Sequence, residues 1–269
     1  MHALPLGIDV LTLEGALALR LRGPGAASAT LLLRGAQLIS WTDGRGIELL
    51  YRSPLSPLAG SQPVRGGVPV VFPQFGAHGP LPRHGFARTA VWGLHAAQVV
   101  HGTPSVTLRL QVLPDTHADW SHGCLCDLTV ALGAAGLTMT LQVHNTGTTA
   151  LQFSAALHAY LAVGQIATAR LTGVLPGGQT LALGDAIDQV FAGVSGPLQL
   201  QSAHSRLRMA HTGFGDVVVW NPGPGAGLAD LPANGHEHFV CVEAAAIAPP
   251  VGLAPGGVWQ ANWALESGY

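Results

Sequence analysis

The chain has 269 residues, 48% hydrophobic and only 10% charged, with a formal net charge of −2 at pH 7. So apolar a composition excludes the low-hydrophobicity, high-charge disordered class, and near-neutrality speaks against the basic face that nucleic acid requires. The three cysteines, Cys124, Cys126 and Cys241, are too few and too odd in number for a disulfide framework.

In chain order, Met1–Gly7 lacks the basic start and apolar core of a signal peptide. No run of 18 apolar residues follows that would span a bilayer as a helix. The expectation is a cytoplasmic protein that engages neither membrane nor nucleic acid. Leu17, Leu19 and Leu21 alternate with Ala18, Arg20 and Arg22, the period of a half-buried strand. A second strand is predicted over 30–34. Val106, Leu108, Leu110 and Val112 repeat the alternation, as do Leu137, Met139, Leu141 and Val143. Further strands are predicted over 124–132, 152–163, 198–201, 206–210, 216–220 and 239–245. Breaks such as Gly23-Pro24-Gly25, Pro176-Gly177-Gly178 and Pro222-Gly223-Pro224-Gly225 separate them. No long segment of period 3.6, internal repeat or low-complexity linker interrupts the pattern. The reading is an all-β, mainly antiparallel sandwich or barrel in one domain over 1–269.

Because charge is scarce, its clustering is informative. Arg65, Arg83 and Arg88, three of the 12 basic residues, fall with His84 inside 24 positions otherwise rich in glycine, proline and apolar residues. All 12 basic residues are arginine, whose planar fork of donors suits phosphate or carboxylate oxygens. The plainer alternative is that these are solvated loop arginines. In 153–161, strand alternation puts Phe153, Ala155, Leu157, Ala159 and Leu161 on one face, with Ser154, His158 and Tyr160 on the other. His158 is thereby a candidate acid or base near neutral pH, or a histidine satisfied by a neighbouring strand. Glu243 shares a face with Phe239 and Cys241; apolar company would raise its pKa and suit it to general-base work, unless it reaches water at the strand end.

Two metal readings compete. His236-Glu237-His238 with Glu243 has the H-x-H-x4-E spacing of a cupin site, but Asp230 and Pro250 stand where that pattern has glycines. Asp115, His117, Asp119, His122 and Cys124 are also crowded. Cys124, Cys126, Leu128, Val130 and Leu132 share one strand face, however, so the C-x-C reads as core. No metal is assigned.

The combination of segments resembles the glucose-6-phosphate 1-epimerase (hexose-6-phosphate mutarotase) branch of the aldose 1-epimerase superfamily. The resemblance is carried by Arg65-Gly66-Gly67-Val68-Pro69, Phe72-Pro73-Gln74-Phe75-Gly76, His84-Gly85-Phe86-Ala87-Arg88 and Ala156-Leu157-His158-Ala159-Tyr160. It continues through Val219-Trp220-Asn221-Pro222, Phe239-Val240-Cys241-Val242-Glu243 and Leu253-Ala254-Pro255-Gly256, covering about residues 30 to 263 in order. Asp115 and Trp120 echo a further family feature. The resemblance implies a galactose-mutarotase-like β-supersandwich and an isomerase without metal or organic cofactor. Glu243 would be the general base and His158 the general acid. Arg65, Arg83, His84, Arg88 and Asp188 would contact substrate. Gln189 stands where the family has arginine and Phe191 where it has tyrosine. Arg83 fills a position often smaller or neutral, and Gly223 one that is often bulky. The expected reaction interconverts the α and β anomers of a hexose 6-phosphate, glucose 6-phosphate first, in a monomer. The alternatives are a mutarotase for unphosphorylated aldoses, a non-catalytic sugar-phosphate sensor and, more distantly, a cupin-like metalloenzyme.

Overall fold

Alternating apolar residues build three antiparallel sheets. The computed structural model describes residues 4–117 and 119–268. The first sheet is a meander of four consecutive strands, Ile8–Leu13, Ala16–Arg22, Ser28–Leu32 and Leu38–Thr42. The second has nine strands, running from Thr180–Ala182 at one edge through Arg170–Thr172, Leu198–Gln201, Arg206–Thr212, Val258–Ser267, Gly136–Asn145, Cys124–Leu132 and Thr103–Val112 to Gly93–Val100. The third orders Ile187–Ala192, Asp216–Asn221, Phe239–Leu253, Leu151–Leu157 and Val70–Val71, with Tyr160–Ala162 also paired to Phe239–Leu253. The helical elements among the described residues are three short 3-10 turns. The chain is all-β, as its alternation predicts.

Strand Cys124–Leu132 shows how pattern becomes packing. Its burial alternates without fault, and Cys124, Cys126, Leu128, Val130 and Leu132 all enter the main apolar cluster. Both cysteines are therefore core residues. That cluster draws on residues from Ile8 to Leu265, with each buried leucine or valine contributing about 1.5–3 kcal/mol.

The third sheet is different, because residues 239–246 are buried without interruption. Val240, Val242, Ala244 and Ala246 face the main cluster. Phe239 and Cys241 pack with Tyr160 in one satellite cluster, and Ala245 packs with Val71, Ala156 and Val218 in another. Glu243 lies on that second face, between the two satellites.

The segment expected as one strand over 152–163 is two, Leu151–Leu157 and Tyr160–Ala162, and His158 falls at the break. Its partner explains the interruption. Leu157 pairs with Val70, then His158 N–H donates to the Pro69 carbonyl at 3.0 Å and Tyr160 N–H to the Gly67 carbonyl at 2.8 Å. Proline has no N–H with which to continue the ladder. The division of faces survives the break: Phe153, Ala155, Leu157, Ala159 and Leu161 all reach the main core. Gly67 has φ +62, and a Cβ there would stand 2.1 Å from the Leu38 carbonyl oxygen. Only glycine allows this close approach.

Candidate active site

Two adjoining stretches of chain deliver the site. Residues 65–69 run beside His158 through the bonds just described, and strand Phe239–Leu253 brings Glu243 opposite Val218 in the sheet register. All seven residues singled out from sequence, Arg65, Arg83, His84, Arg88, His158, Asp188 and Glu243, line one cavity of about 530 Å³. Asp188 and Arg83 are exposed at its margin, whereas His84, His158 and Glu243 are buried.

Glu243 is 1% exposed, and its Oε1 lies 3.3 Å from His158 Nε2. Among the described residues, neither Glu243 Oε2 nor His158 Nδ1 has a hydrogen-bond partner. Burial raises the Glu243 pKa well above the usual carboxylate value, and the nearby Asp188 carboxylate adds to this. Burial lowers that of His158, helped by His84 and Arg88. The His158 ring stacks on Tyr160, with centroids 5.0 Å apart and planes 12° from parallel. It meets Trp220 and His84 edge-on at 6.0 and 5.5 Å. Three aromatic neighbours thus fix the imidazole plane.

His84 occupies a left-handed conformation, φ +66, and accepts a hydrogen bond at Nδ1 from Gly76 N–H at 3.3 Å. Its neutral ring therefore carries hydrogen on Nε2. Burial and the positive charges of Arg88, Arg83 and Arg65 push its pKa down to about 3. His84 is a fixed, uncharged hydrogen-bond donor.

The arginines differ in their partners. Arg65 donates from Nε to Asp230 Oδ1 at 2.8 Å and from Nη1 to the Tyr160 hydroxyl at 3.2 Å. Arg88 donates from Nη2 to the Arg83 carbonyl at 2.6 Å, and its buried Nε has no partner among the described residues. No carboxylate pairs with Arg88 among the described residues. Burial, followed by the repulsion of Arg65 and Arg83 against the compensating Tyr160, lowers its pKa. A second cavity of about 380 Å³ shares Arg65, Arg88, His158 and Tyr160 with the first and adds Ser56, Gln62 and Asp230. Sequence reasoning missed Asp230 as a partner of Arg65, because 165 positions separate the two.

Of the residues in the metal readings, Glu243 is in the site and the histidines go elsewhere. His236 and His238 sit on the 3-10 turn Gly235–His238, where their Nδ1 atoms donate to the carbonyls of Ala233 and Gly164. His117 stacks on Phe86 with ring centroids 3.8 Å apart. Among the described residues, no group of three or more His, Cys, Asp or Glu side chains comes together as a metal site. Nor is any helix among them long and apolar enough to cross a membrane.

Comparison with known proteins places the chain. The pattern of the aldose 1-epimerase family matches residues 18–266. A candidate glucose-6-phosphate 1-epimerase of Cenchrus ciliaris is 30% identical over 274 residues, covering 92% of this chain and 83% of its own. A protein of the same description from Salmonella typhimurium is 32% identical, covering 80% and 78%. Among solved structures, a candidate mutarotase from Salmonella typhimurium superimposes with TM-score 0.86 at 24% identity, over 100% of this chain and 96% of that one. A galactose 1-epimerase from Lactobacillus acidophilus gives TM-score 0.71 at 16% identity, over 99% and 100%. The sheets are therefore those of the galactose-mutarotase-like fold, and the chain belongs to the aldose 1-epimerase family, an epimerase of the isomerase class.

Proposed function

We propose that this chain interconverts the α and β anomers of a hexose 6-phosphate, with glucose 6-phosphate the leading substrate. The observation that carries the phosphate is Arg88. In a chain with few charges, a guanidinium partnered only by a backbone carbonyl lines the same cavity as the Glu243–His158 pair. A phosphate there would receive charge-assisted hydrogen bonds. The names of the relatives from Cenchrus ciliaris and Salmonella typhimurium point the same way.

In the proposed mechanism Glu243 takes the proton of the C1 hydroxyl while protonated His158 gives its proton to the ring oxygen. The C1–O5 bond breaks, the C1–O1 bond becomes the aldehyde carbonyl, and C1 turns about its bond to C2. Reclosure on the other face reverses both transfers. Burial disfavours a charge on either residue, but the two lie 3.3 Å apart and need hold only one exchangeable proton between them. The neutral His84 adds a donor to sugar oxygens, and Asp188 an acceptor for sugar hydroxyls. A phosphate held by Arg65 and Arg88 fixes the far end of the sugar, so that remote binding positions C1. The reading takes the chain as one domain over 1–269, supported by an apolar cluster reaching from Ile8 to Leu265.

The test is anomer exchange followed by saturation-transfer NMR, with glucose 6-phosphate and glucose side by side, with and without EDTA. Fast, EDTA-resistant exchange of the phosphate ester is expected. Glu243→Gln and His158→Ala should each fold and lose about 10²–10⁴-fold in turnover. Equal exchange of glucose would remove the phosphate from the proposal, and near-normal turnover by Glu243→Gln would remove Glu243 as base.

A further inference from the structure

Two side-chain bonds set the direction of Arg65 in the cavity, and the group that holds its Nε comes from far along the chain. Asp230 lies in the loop 222–234, between strand Asp216–Asn221 and the turn Gly235–His238. The ends of this loop are tied by Asn221. Its Oδ1 accepts from Gly223 N–H, and its Nδ2 donates to the carbonyls of His236 and Phe239. Between these ties the loop has no regular structure, and Gly225 and Gly227 adopt positive φ. Among the described residues, the bond of Arg65 Nε to Asp230 Oδ1 is the one hydrogen bond that residues 224–231 make outside their own loop. The pair is well sheltered on the arginine side, with side-chain exposures of 21% and 37%.

The geometry of Arg65 matters as much as its charge. Asp230 occupies Nε and Tyr160 occupies Nη1, which leaves Nη2 without a hydrogen-bond partner among the described residues, beside the cavity shared with Arg88. An arginine stem is long and rich in rotamers, and holding it before the ligand arrives removes an ordering cost from binding. We propose that Asp230 is a positioning residue for recognition of the substrate's phosphate, clamping Arg65 so that its free edge faces the cavity alongside Arg88. This inference rests on the hexose-phosphate reading above.

The opposite role is physically possible for a carboxylate in this place. As a competitor for Arg65 it would weaken phosphate binding, and its removal would tighten it. Three variants of the full chain separate the two. Asp230→Asn keeps an oxygen that accepts from Nε. Asp230→Ala removes it. Asp230→Ser, polar but too short to reach, repeats the Ala measurement should that variant fail to fold. Anomer exchange is measured with glucose 6-phosphate and glucose, and inorganic phosphate is used as competing ligand. For Asp230→Ala the KM for glucose 6-phosphate should rise about 10-fold with kcat within about twofold, the signature of lost binding rather than lost chemistry. The inhibition constant of inorganic phosphate should rise in parallel. Asp230→Asn should restore most of the affinity, and glucose exchange should be the same in all variants.

Unchanged KM in both Ala and Ser variants, or a lower KM in all three, would overturn the positioning role while leaving the hexose-phosphate reading intact. A wild-type enzyme that exchanges glucose as fast as glucose 6-phosphate would overturn that reading and this inference with it.

Discussion

Arg88 offers a test in which stability and function should part company. Its Nε is buried without a protein partner, a condition that costs about 1–3 kcal/mol. Replacing it by methionine keeps an unbranched stem in the cavity wall and removes the orphan donor together with repulsion from Arg65 and Arg83. Against this stands the loss of one hydrogen bond, from Nη2 to the exposed Arg83 carbonyl, worth about 1.5–3 kcal/mol gross and less once water replaces the donor. The balance is near zero or stabilising by about 1 kcal/mol, which in a chain of this size raises Tm by about 2–4 °C. Binding should move the other way. Each charge-assisted bond to a phosphate contributes about 1.5–3 kcal/mol. At 1.4 kcal/mol per decade, losing one raises the KM for glucose 6-phosphate about 10- to 150-fold. Calorimetry gives Tm, and saturation-transfer exchange over a range of substrate concentrations gives KM. Arg88→Met with a Tm more than about 4 °C lower and an unchanged KM would make Arg88 a structural residue and refute the reasoning.

Acid should destabilise the protein through His84. Its folded-state pKa of about 3 lies below the ordinary 6.5, so the unfolded chain binds the proton first, and stability present above pH 6.5 is lost as the pH falls toward 3. At pH 5 the loss is about 2 kcal/mol, from 1.36 kcal/mol per unit. It should appear as a pH-dependent difference in Tm between wild type and His84→Gln, and a constant difference over pH 5–8 would sink the assignment. Gly85→Ala should destabilise by more than about 2 kcal/mol in urea unfolding. Gly85 has φ +71, and a Cβ there would stand 2.1 Å from the Phe72 carbonyl oxygen. Gly102→Ala, at φ +78 with nothing within 4 Å, should cost only the left-handed conformation, about 1–2 kcal/mol. Equal losses in the two variants would show that the close contact contributes nothing.

The sequence displayed several, though not all, of the elements in which one face is buried and the other is wet; Ile8–Leu13 and Val258–Ser267 alternate and were not read as strands. Strands Thr103–Val112, Cys124–Leu132 and Gly136–Asn145 alternate for that reason, and all three were legible. Gly93–Val100 was not, because it is an edge strand exposed along almost its whole length and has no buried face to mark. The stretch 239–245 was legible as a strand, but its full burial was not, since that depends on the two satellite clusters packed over it. The candidate site was marked in the sequence by scarcity, in three arginines and a histidine within 24 residues and in single polar groups within apolar strands. The break at His158 could not be seen, because it arises from pairing with Gly67 and Pro69. The bond between Arg65 and Asp230 could not be seen either, since no local pattern links residues 165 positions apart.

The fold concentrates its unsatisfied polar groups where chemistry is proposed. Among the described residues, six buried side-chain polar atoms lack a hydrogen-bond partner, and Arg88 Nε, His158 Nδ1 and Glu243 Oε2 belong to one cavity. Buried polar atoms are ordinarily paired, so three orphans in one place are a departure in a definite direction. Here a donor of the proposed anion site sits with atoms of the proposed acid and base. The causes are local. Ala244, Ala245 and Ala246 make the strand around Glu243 thin, Phe239 and Cys241 with Tyr160 wall it on one side, and Val71, Ala156 and Val218 wall it on the other. Small residues leave the space, and apolar neighbours withhold the partners. A hexose phosphate, with hydroxyls along its ring and an anion at one end, offers acceptors and donors to all three orphans. The folded protein bears the cost of desolvating them in advance, which would leave less to be reorganised in the proposed ring opening.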